Sequence, residues 1–346
     1  MGTTKKPLSE QVMVITGASS GIGLVTALMA AKEGTCVVLA ARNDSDLDEV
    51  SECIQRQGGR AMWVKADVAD QQQVERIADE AVREYGRIDT WVNNAAVSMY
   101  GKLIDLEPAD MRRQADVNFW GTVYGSLVAA RRMQAAGGTI INVASVLADR
   151  AVPHQGIYCA MKHAVRAFSD TLRMELELEQ IPVAVSVIKP GSVDTPFFEK
   201  ARTYFDEEPQ PYPPVYAPEA VAEVILASAV NPVRELTVGG IPGLLSVGQH
   251  LSPRLTDRYL EKTSHQQSSG IPLTPGRADN LYQPVPHDGG ERGHNWEGPV
   301  MRRSLYAQTQ LHPGRTALAV AGLGAAFLLG RRLLAGRNGR EILLED

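Results

Sequence analysis

From residue 12 onward, short apolar runs alternate with longer amphipathic ones. VMVITG (12–17) is rich in β-branched residues and closes on Gly17. IGLVTALMAAKEG (22–34) reads as a helix ended by Gly34, CVVLAAR (36–42) as a second strand, and DLDEVSECIQRQGG (46–59) as a helix with a glycine stop. AMWVKADV (61–68) reads as a third strand, QQVERIADEAVREYG (72–86) as a helix, and IDTWVNNAA (88–96) carries a fourth strand. GGTIINVAS (137–145) and IPVAVSVIKPG (181–191) are two more, and a last strand is expected near ELTVGG (235–240). Apolar runs without alternation fit strands covered on both sides. Strands alternating with helices of this length predict an α/β fold, a doubly wound parallel sheet with helices on both faces.

This pattern fills residues 8–250, taken as one domain. Composition shifts after about residue 262, where Ser, Gly, Pro and polar side chains dominate. Residues 262–314 are therefore expected to form a linker or loose tail that packs no core. TALAVAGLGAAFLLG (316–330) is uncharged and flanked by Arg315, Arg331 and Arg332. A spanning helix needs about 20 apolar residues, with a lower limit of about 17. The run is slightly short, although arginines at its ends can snorkel and extend it. An apolar helix over 316–334 leaves two readings open, a membrane anchor or a helix docked on this or another subunit.

With 44% hydrophobic and 22% charged residues, the chain has the composition of a globular protein. A formal net charge of −5 argues against nucleic acid as a partner. Cys36, Cys53 and Cys159 are scattered without metal-ligand spacing, so no metal is expected and the compartment should be reducing. MGTTKKPLSEQ at the N-terminus lacks the apolar region of a secretory signal. The expected location is the cytoplasm, or the cytoplasmic face of a membrane if 316–334 anchors the chain.

Candidate chemistry begins at TGASSGIG (16–23), between the first strand and the first helix. Glycines let the backbone turn sharply and approach a pyrophosphate, and a helix N-terminus offers free N–H groups to an anion. The spacing of Gly17, Gly21 and Gly23 differs by one residue from the usual dinucleotide fingerprint. At the end of the second strand, a carboxylate would hold ribose hydroxyls and an arginine would take a 2′-phosphate. Here Ala41 is followed by Arg42, and the first carboxylate is Asp44. That favours NADP(H) over NAD(H), with Asp44 on the ribose as the alternative. Further along, YCAMK (158–162) puts a phenol and an ammonium on one helical face. Taken alone, this spacing is that of any solvated i,i+4 pair.

Several motifs taken together resemble the short-chain dehydrogenase/reductase family, of the standard single-domain type. They are TGASSGIG at 16, ADV at 66, NNAA at 93, Asn118 in DVNFWG, Ser145 in INVAS, YCAMK at 158 and PGSVDTP at 190. Their order and spacing match over roughly residues 8–245, with Ser145 thirteen residues before Tyr158. The resemblance implies a Rossmann-type fold and interconversion of a carbonyl and an alcohol by hydride transfer. Tyr158 would be the general acid or base, with Lys162 lowering its pKa and binding the nicotinamide ribose. Ser145 would hold the substrate oxygen, and Asn118, at a helix irregularity, a relay water.

By the same resemblance, Gly17, Ser19, Ser20, Gly21, Ile22 and Gly23 would face the phosphates. Arg42 would meet the 2′-phosphate, Asp67 and Val68 the adenine, and Asn94 and Ala95 the adenosine ribose. Pro190, Gly191, Val193 and Thr195 would cover the nicotinamide. Ala96 departs from the family's NNAG, and nothing in the family accounts for the tail. RTYFDEEPQPYPPVY (202–216) falls where relatives place a substrate lid, and its prolines and aromatics suit a mobile flap over an apolar ligand. His154 and His163 flank the tyrosine without an assigned role, and Cys159 reads as a small packing residue. The family also implies a homodimer or homotetramer. Two other functions compete: an NADPH-binding regulator without turnover, and an epimerase or dehydratase acting on a nucleotide sugar. The intact set Asn118, Ser145, Tyr158 and Lys162 argues against the first, and the glycine spacing and the lack of a large substrate domain against the second.

Overall fold

The structure, a computed structural model, describes residues 6–240, 252–312, 314 and 316. Seven strands form the central sheet: β1 (Val12–Thr16), β2 (Cys36–Ala41), β3 (Arg60–Lys65), β4 (Thr90–Asn93), β5 (Gly138–Val143), β6 (Val183–Pro190) and β7 (Glu235–Val238). They are ordered β3-β2-β1-β4-β5-β6-β7, and every pairing is parallel. Every residue of β1 and β2 is buried, as expected of strands covered on both faces.

Side chains alternate across the strand, and the two cores follow from that. Val12 and Val14 of β1 point into one core, shared with Ile77, Val128 and Leu172. Met13 and Ile15 point into the other, shared with Ala27, Leu47, Ile54, Val221 and Ile225. Helices α1 (Gly21–Lys32), α2 (Asp44–Arg56) and α7 (Pro218–Val230) thus cover one face. Helices α3 (Gln71–Tyr85), α5 (Gly121–Met133) and α6 (Gly156–Leu178) cover the other. Between α3 and α5 lies the short α4 (Pro108–Ala115), which runs into α5 through a π-helical turn at Asp116–Trp120.

Local chemistry sets the helix ends. Asp70 caps α3 by accepting from Gln72 N at 2.9 Å, and Gly86 ends it at φ 76°. Asn43 caps α2 by accepting from Asp46 N at 3.3 Å.

The stretch beyond residue 262 departs from the expected loose tail. Helix α8 (Pro253–Thr263) runs into a short turn, and Ser268–Pro272 pairs antiparallel with Glu207–Pro209. Leu281 is fully buried in the core beside Val97 and Val117. Val300–Met301 pairs with Val215–Tyr216. Helix α9 (Leu305–Leu311) ends at the sheet edge, where the Gln310 amide donates to Thr237 O at 3.0 Å and accepts from Thr237 N at 3.1 Å. That side chain serves the outer edge of β7 as a further strand would. Few apolar residues hold this stretch; side-chain hydrogen bonds and ion pairs to the domain, such as Arg202–Asp279, Arg277–Glu208 and Arg292–Glu219, join the short strand pairings in fixing it, which composition does not register.

Among the described residues, no helix is long and apolar enough to cross a membrane. The expected apolar helix at 316–334 lies, but for Thr316, outside the described residues.

Candidate active site

Sheet order reverses between β1 and β4, and the crevice beyond their carboxyl ends is where open α/β sheets bind ligands. The glycine turn leaves β1 here. The Asn94 amide pins it by donating to Thr16 O at 3.0 Å and Gly17 O at 3.2 Å. Gly21 takes φ +55° against Thr195, and a Cβ on Gly23 would lie 2.1 Å from Gly17 O. Only glycines allow this close passage. The start of α1 thus presents backbone N–H groups to the cleft, and Ser20 at its N-cap makes no side-chain capping bond. The shape fits the diphosphate of a dinucleotide.

Of the catalytic and cofactor-binding residues implied by the resemblance, all but Gly23 and Asn118 line one continuous cleft. Gly23 acts from behind through its missing side chain. Asn118 is fully buried in the π-helical turn; its Oδ1 accepts from Val97 N at 2.8 Å and its Nδ2 donates to Val97 O at 2.9 Å. Its side chain is therefore engaged with the chain after β4. Ala96 lines the cleft, and its φ is not positive, so a methyl group there strains nothing.

At the end of the cleft beyond β2, Arg42 faces the cleft. Asp44 is turned away, with Oδ2 3.0 Å from Lys65 Nζ. The Arg42 guanidinium donates to Asn280 O at 2.5 Å and to Tyr282 O at 3.2 Å, and burial lowers its pKa. Asp67 is paired with Arg113 at 2.5 Å, and Arg113 Nε donates to Leu281 O at 2.9 Å. The late segment around Leu281 is thus built into this end.

At the other end, Tyr158 and Lys162 project from α6 toward Ser145, at the exit of β5. Ser145 accepts from Leu147 N at 3.1 Å, which fixes its hydroxyl at the start of a short turn. Lys162 is buried; its Nζ donates to Val143 O at 2.8 Å and lies 5.5 Å from the centre of the Tyr158 ring. Burial brings its pKa from 10.5 to about 8. Tyr158 departs from expectation. Its pKa lies well above 10: burial raises it most, Cys159 raises it further, and the Ser145 hydrogen bond offsets part. The ammonium is spent on a carbonyl and stands beside the ring, so burial outweighs it.

The walls beyond Tyr158 are mostly apolar, with Arg150, Gln155, Ser264 and Gln267 as polar members. Phe197 meets its ring at 5.9 Å, and Leu147, Val152, Tyr212, Pro213, Pro214, Tyr259 and Leu260 continue the lining. The flap expected at 202–216 is held in place by strand pairings at Arg202–Thr203, Glu207–Pro209 and Val215–Tyr216, so it is a wall. Sequence reasoning missed Lys200, Gln155 and Gln267, which also line the cleft. Gln155 Nε2 donates to Gln267 Oε1 at 2.7 Å, joining α6 to the turn after α8. No local motif marks any of them. His154 packs edge-on against Phe205 and His163 hydrogen-bonds Cys159 O at 2.8 Å; neither lines the cleft. Among the described residues, no cluster suits a metal ion.

Residues 11–204 match the family described as short chain dehydrogenase. An uncharacterized oxidoreductase, YxnA of Bacillus subtilis (strain 168), is 45% identical over 328 residues, covering 92% of this chain and 90% of that one. That share is too large to leave out the stretch beyond residue 262. The 11-beta-hydroxysteroid dehydrogenase A of Sesamum indicum is 32% identical over 238 residues, covering 66% of this chain and 68% of that one. Among solved structures, a short chain dehydrogenase/reductase from Burkholderia phymatum in complex with NAD superposes with a TM-score of 0.65 at 25% identity, covering 76% of this chain and 98% of that one. An alcohol dehydrogenase from Thermococcus sibiricus complexed with 5-hydroxy-NADP gives 0.58 at 27% identity, covering 66% and 95%. The parallel sheet, the glycine cradle, the Ser145–Tyr158–Lys162 corner and these matches place the chain in the short-chain dehydrogenase/reductase family of oxidoreductases.

Proposed function

We propose that the protein interconverts a carbonyl and an alcohol on an apolar substrate by hydride transfer with NADP(H), Tyr158 giving or taking the proton. The carrying observation is that Tyr158, Ser145 and Lys162 converge on one end of a cleft whose other end is the glycine cradle. In this reading a dinucleotide lies with its nicotinamide toward Tyr158. The nicotinamide supplies or accepts the hydride when bound.

The protein's part follows from the site. Ser145 hydrogen-bonds the substrate oxygen and holds it against the phenol. A partly buried phenol with a raised pKa stays protonated at neutral pH, which suits a proton donor in carbonyl reduction. Lys162, held by Val143 O, keeps a positive charge near the developing alkoxide. The aromatic and proline walls exclude water and accept a hydrophobic body; the hydroxysteroid dehydrogenase in the name of one relative fits a bulky apolar alcohol or ketone.

Cofactor choice rests on Arg42, which faces the cleft while Asp44 pairs with Lys65. Arg42→Asp should weaken NADPH binding by roughly tenfold or more, the order expected for one lost charge-assisted contact, and affect NADH far less. Titration of both dinucleotides by fluorescence checks this; unchanged NADPH affinity would remove the preference. A panel of apolar and polar aldehydes and ketones, followed by NADPH or NADH consumption, tests the reaction, with turnover expected on the apolar members.

A further inference from the structure

We propose that residues 284–290 form a strap that occupies the phosphate side of the dinucleotide groove and leaves it when the cofactor binds, with the Asp288 carboxylate as its resident anion. The proposal rests on reading the cleft as a nicotinamide-dinucleotide site. It concerns a segment outside the part that matches the family, which ends at residue 204.

The observation is a set of donors already in use. The Ser19 hydroxyl donates to Asp288 Oδ2. The Gly21 N–H, at the first turn of α1, donates to Gly290 O at 3.0 Å. Lys200 Nζ donates to Ser20 Oγ at 2.7 Å and to Asp288 O at 2.8 Å, and lies 3.4 Å from Asp288 Oδ1. These groups border the cradle and line the cleft. A hydroxyl or a backbone N–H carries one hydrogen, so Ser19 and Gly21 cannot serve the strap and a phosphate oxygen together. Arg42 differs: with five N–H donors it can keep the carbonyls of Asn280 and Tyr282 and still receive an anion.

Charge points the same way. Asp288 is 8% exposed and places a carboxylate beside the cation of Lys200 and near Arg42. Such a pocket selects anions, and a phosphate brought close to the carboxylate would be repelled. Either Asp288 withdraws, freeing Lys200 for the phosphate, or the dinucleotide stays out.

The strap is built to move. Residues 284–290 lie outside any helix or strand. Most of their ties to the domain are polar: Asp288 N donates to Asp46 Oδ2 at 2.5 Å, and the Asn43 amide donates to Val285 O at 3.1 Å and Pro286 O at 3.4 Å. Val285 is the buried apolar residue within the strap, and the deeper apolar anchor is upstream, at fully buried Leu281. Gly289, at φ 74°, and Gly290 supply freedom at the other end. Water can replace each polar tie as it breaks, while Leu281 keeps the segment from leaving the domain.

Two measurements on the full-length protein decide it. The first is hydrogen–deuterium exchange of the peptide covering 284–290, with and without saturating NADPH; faster exchange on binding is expected. The second is the Kd for NADPH and NADH of the wild type and of Asp288→Asn, which keeps the shape and removes the charge. Because a site blocked part of the time binds in proportion to its open fraction, Asp288→Asn should bind roughly three- to tenfold tighter. Equal gains for both dinucleotides would assign the competition to the diphosphate they share, and a larger gain for NADPH would assign it to the 2′-phosphate. Slower exchange on binding, or affinity unchanged or weakened in Asp288→Asn, would overturn the proposal: the strap would then clasp the cofactor. If neither protein binds either dinucleotide at millimolar concentration, the dinucleotide reading falls and the proposal with it; binding by both proteins without the predicted changes sinks the strap alone.

Discussion

Single residues carry the proposed chemistry, and Lys162 shows what that costs. Its ammonium is buried, and its pKa is brought from 10.5 to about 8. Folding therefore works against the charged form by about 3 kcal/mol at neutral pH, an order-of-magnitude figure. Below pH 8 both folded and unfolded chains carry the proton and the penalty is fully present. Between about 8 and 10.5 the unfolded chain holds the proton and the folded one has lost it, so the penalty fades as pH rises. Melting temperatures of the wild type and Lys162→Met, compared from pH 7 to 10, should show the wild type gaining on the variant across that window. A constant difference would contradict the burial account. The motif placed Lys162 beside Tyr158 from sequence alone, because helical spacing fixes who is neighbour to whom. It could not show which effect governs the phenol: that depends on how completely distant segments enclose the ring and on Val143 O taking the ammonium.

At the scale of elements, periodicity was most informative. Each strand of the central sheet falls within a run read from the apolar pattern, except that β3 starts one residue earlier, at Arg60, and the glycine stops at Gly34 and Gly58 follow the ends of α1 and α2 as expected. Strand order was not readable from local pattern, since it depends on which crossover packs against which face. The π-helical turn carrying Asn118 was expected as an irregularity only through the family resemblance. The cradle offers the sharpest test at this scale. A methyl group at Gly23 would meet a backbone carbonyl that has no room to yield, 2.1 Å away. Gly23→Ala should lower dinucleotide affinity by at least about tenfold by pushing the turn away from α1, a loss of about 1.4 kcal/mol or more. Equilibrium binding checks it, and wild-type affinity in the variant would mean that the turn relaxes freely.

For the whole molecule, the lesson lies in the residues beyond 262. Their composition reads as loose because Ser, Gly, Pro and polar side chains are poor core formers. Yet Leu281 enters the core, Gln267 meets Gln155 across the substrate end, and Asp288 reaches the cradle. These contacts join residues far apart in sequence, so no local window contains them. The cleft is consequently lined at both ends by the same late segment: α8 and its following turn beside the apolar walls, and Asn280, Pro284 and Asp288 beside Arg42 and the glycine turn. The proposed catalytic corner between them stands on Tyr158. The most direct measurement is NADPH oxidation with an apolar ketone that the wild type reduces, repeated with Tyr158→Phe, alongside NADPH titration of both proteins. The variant should bind NADPH like the wild type while its turnover falls by about a hundredfold or more, the contribution of a positioned general acid. Turnover near the wild-type rate in the variant would contradict that role.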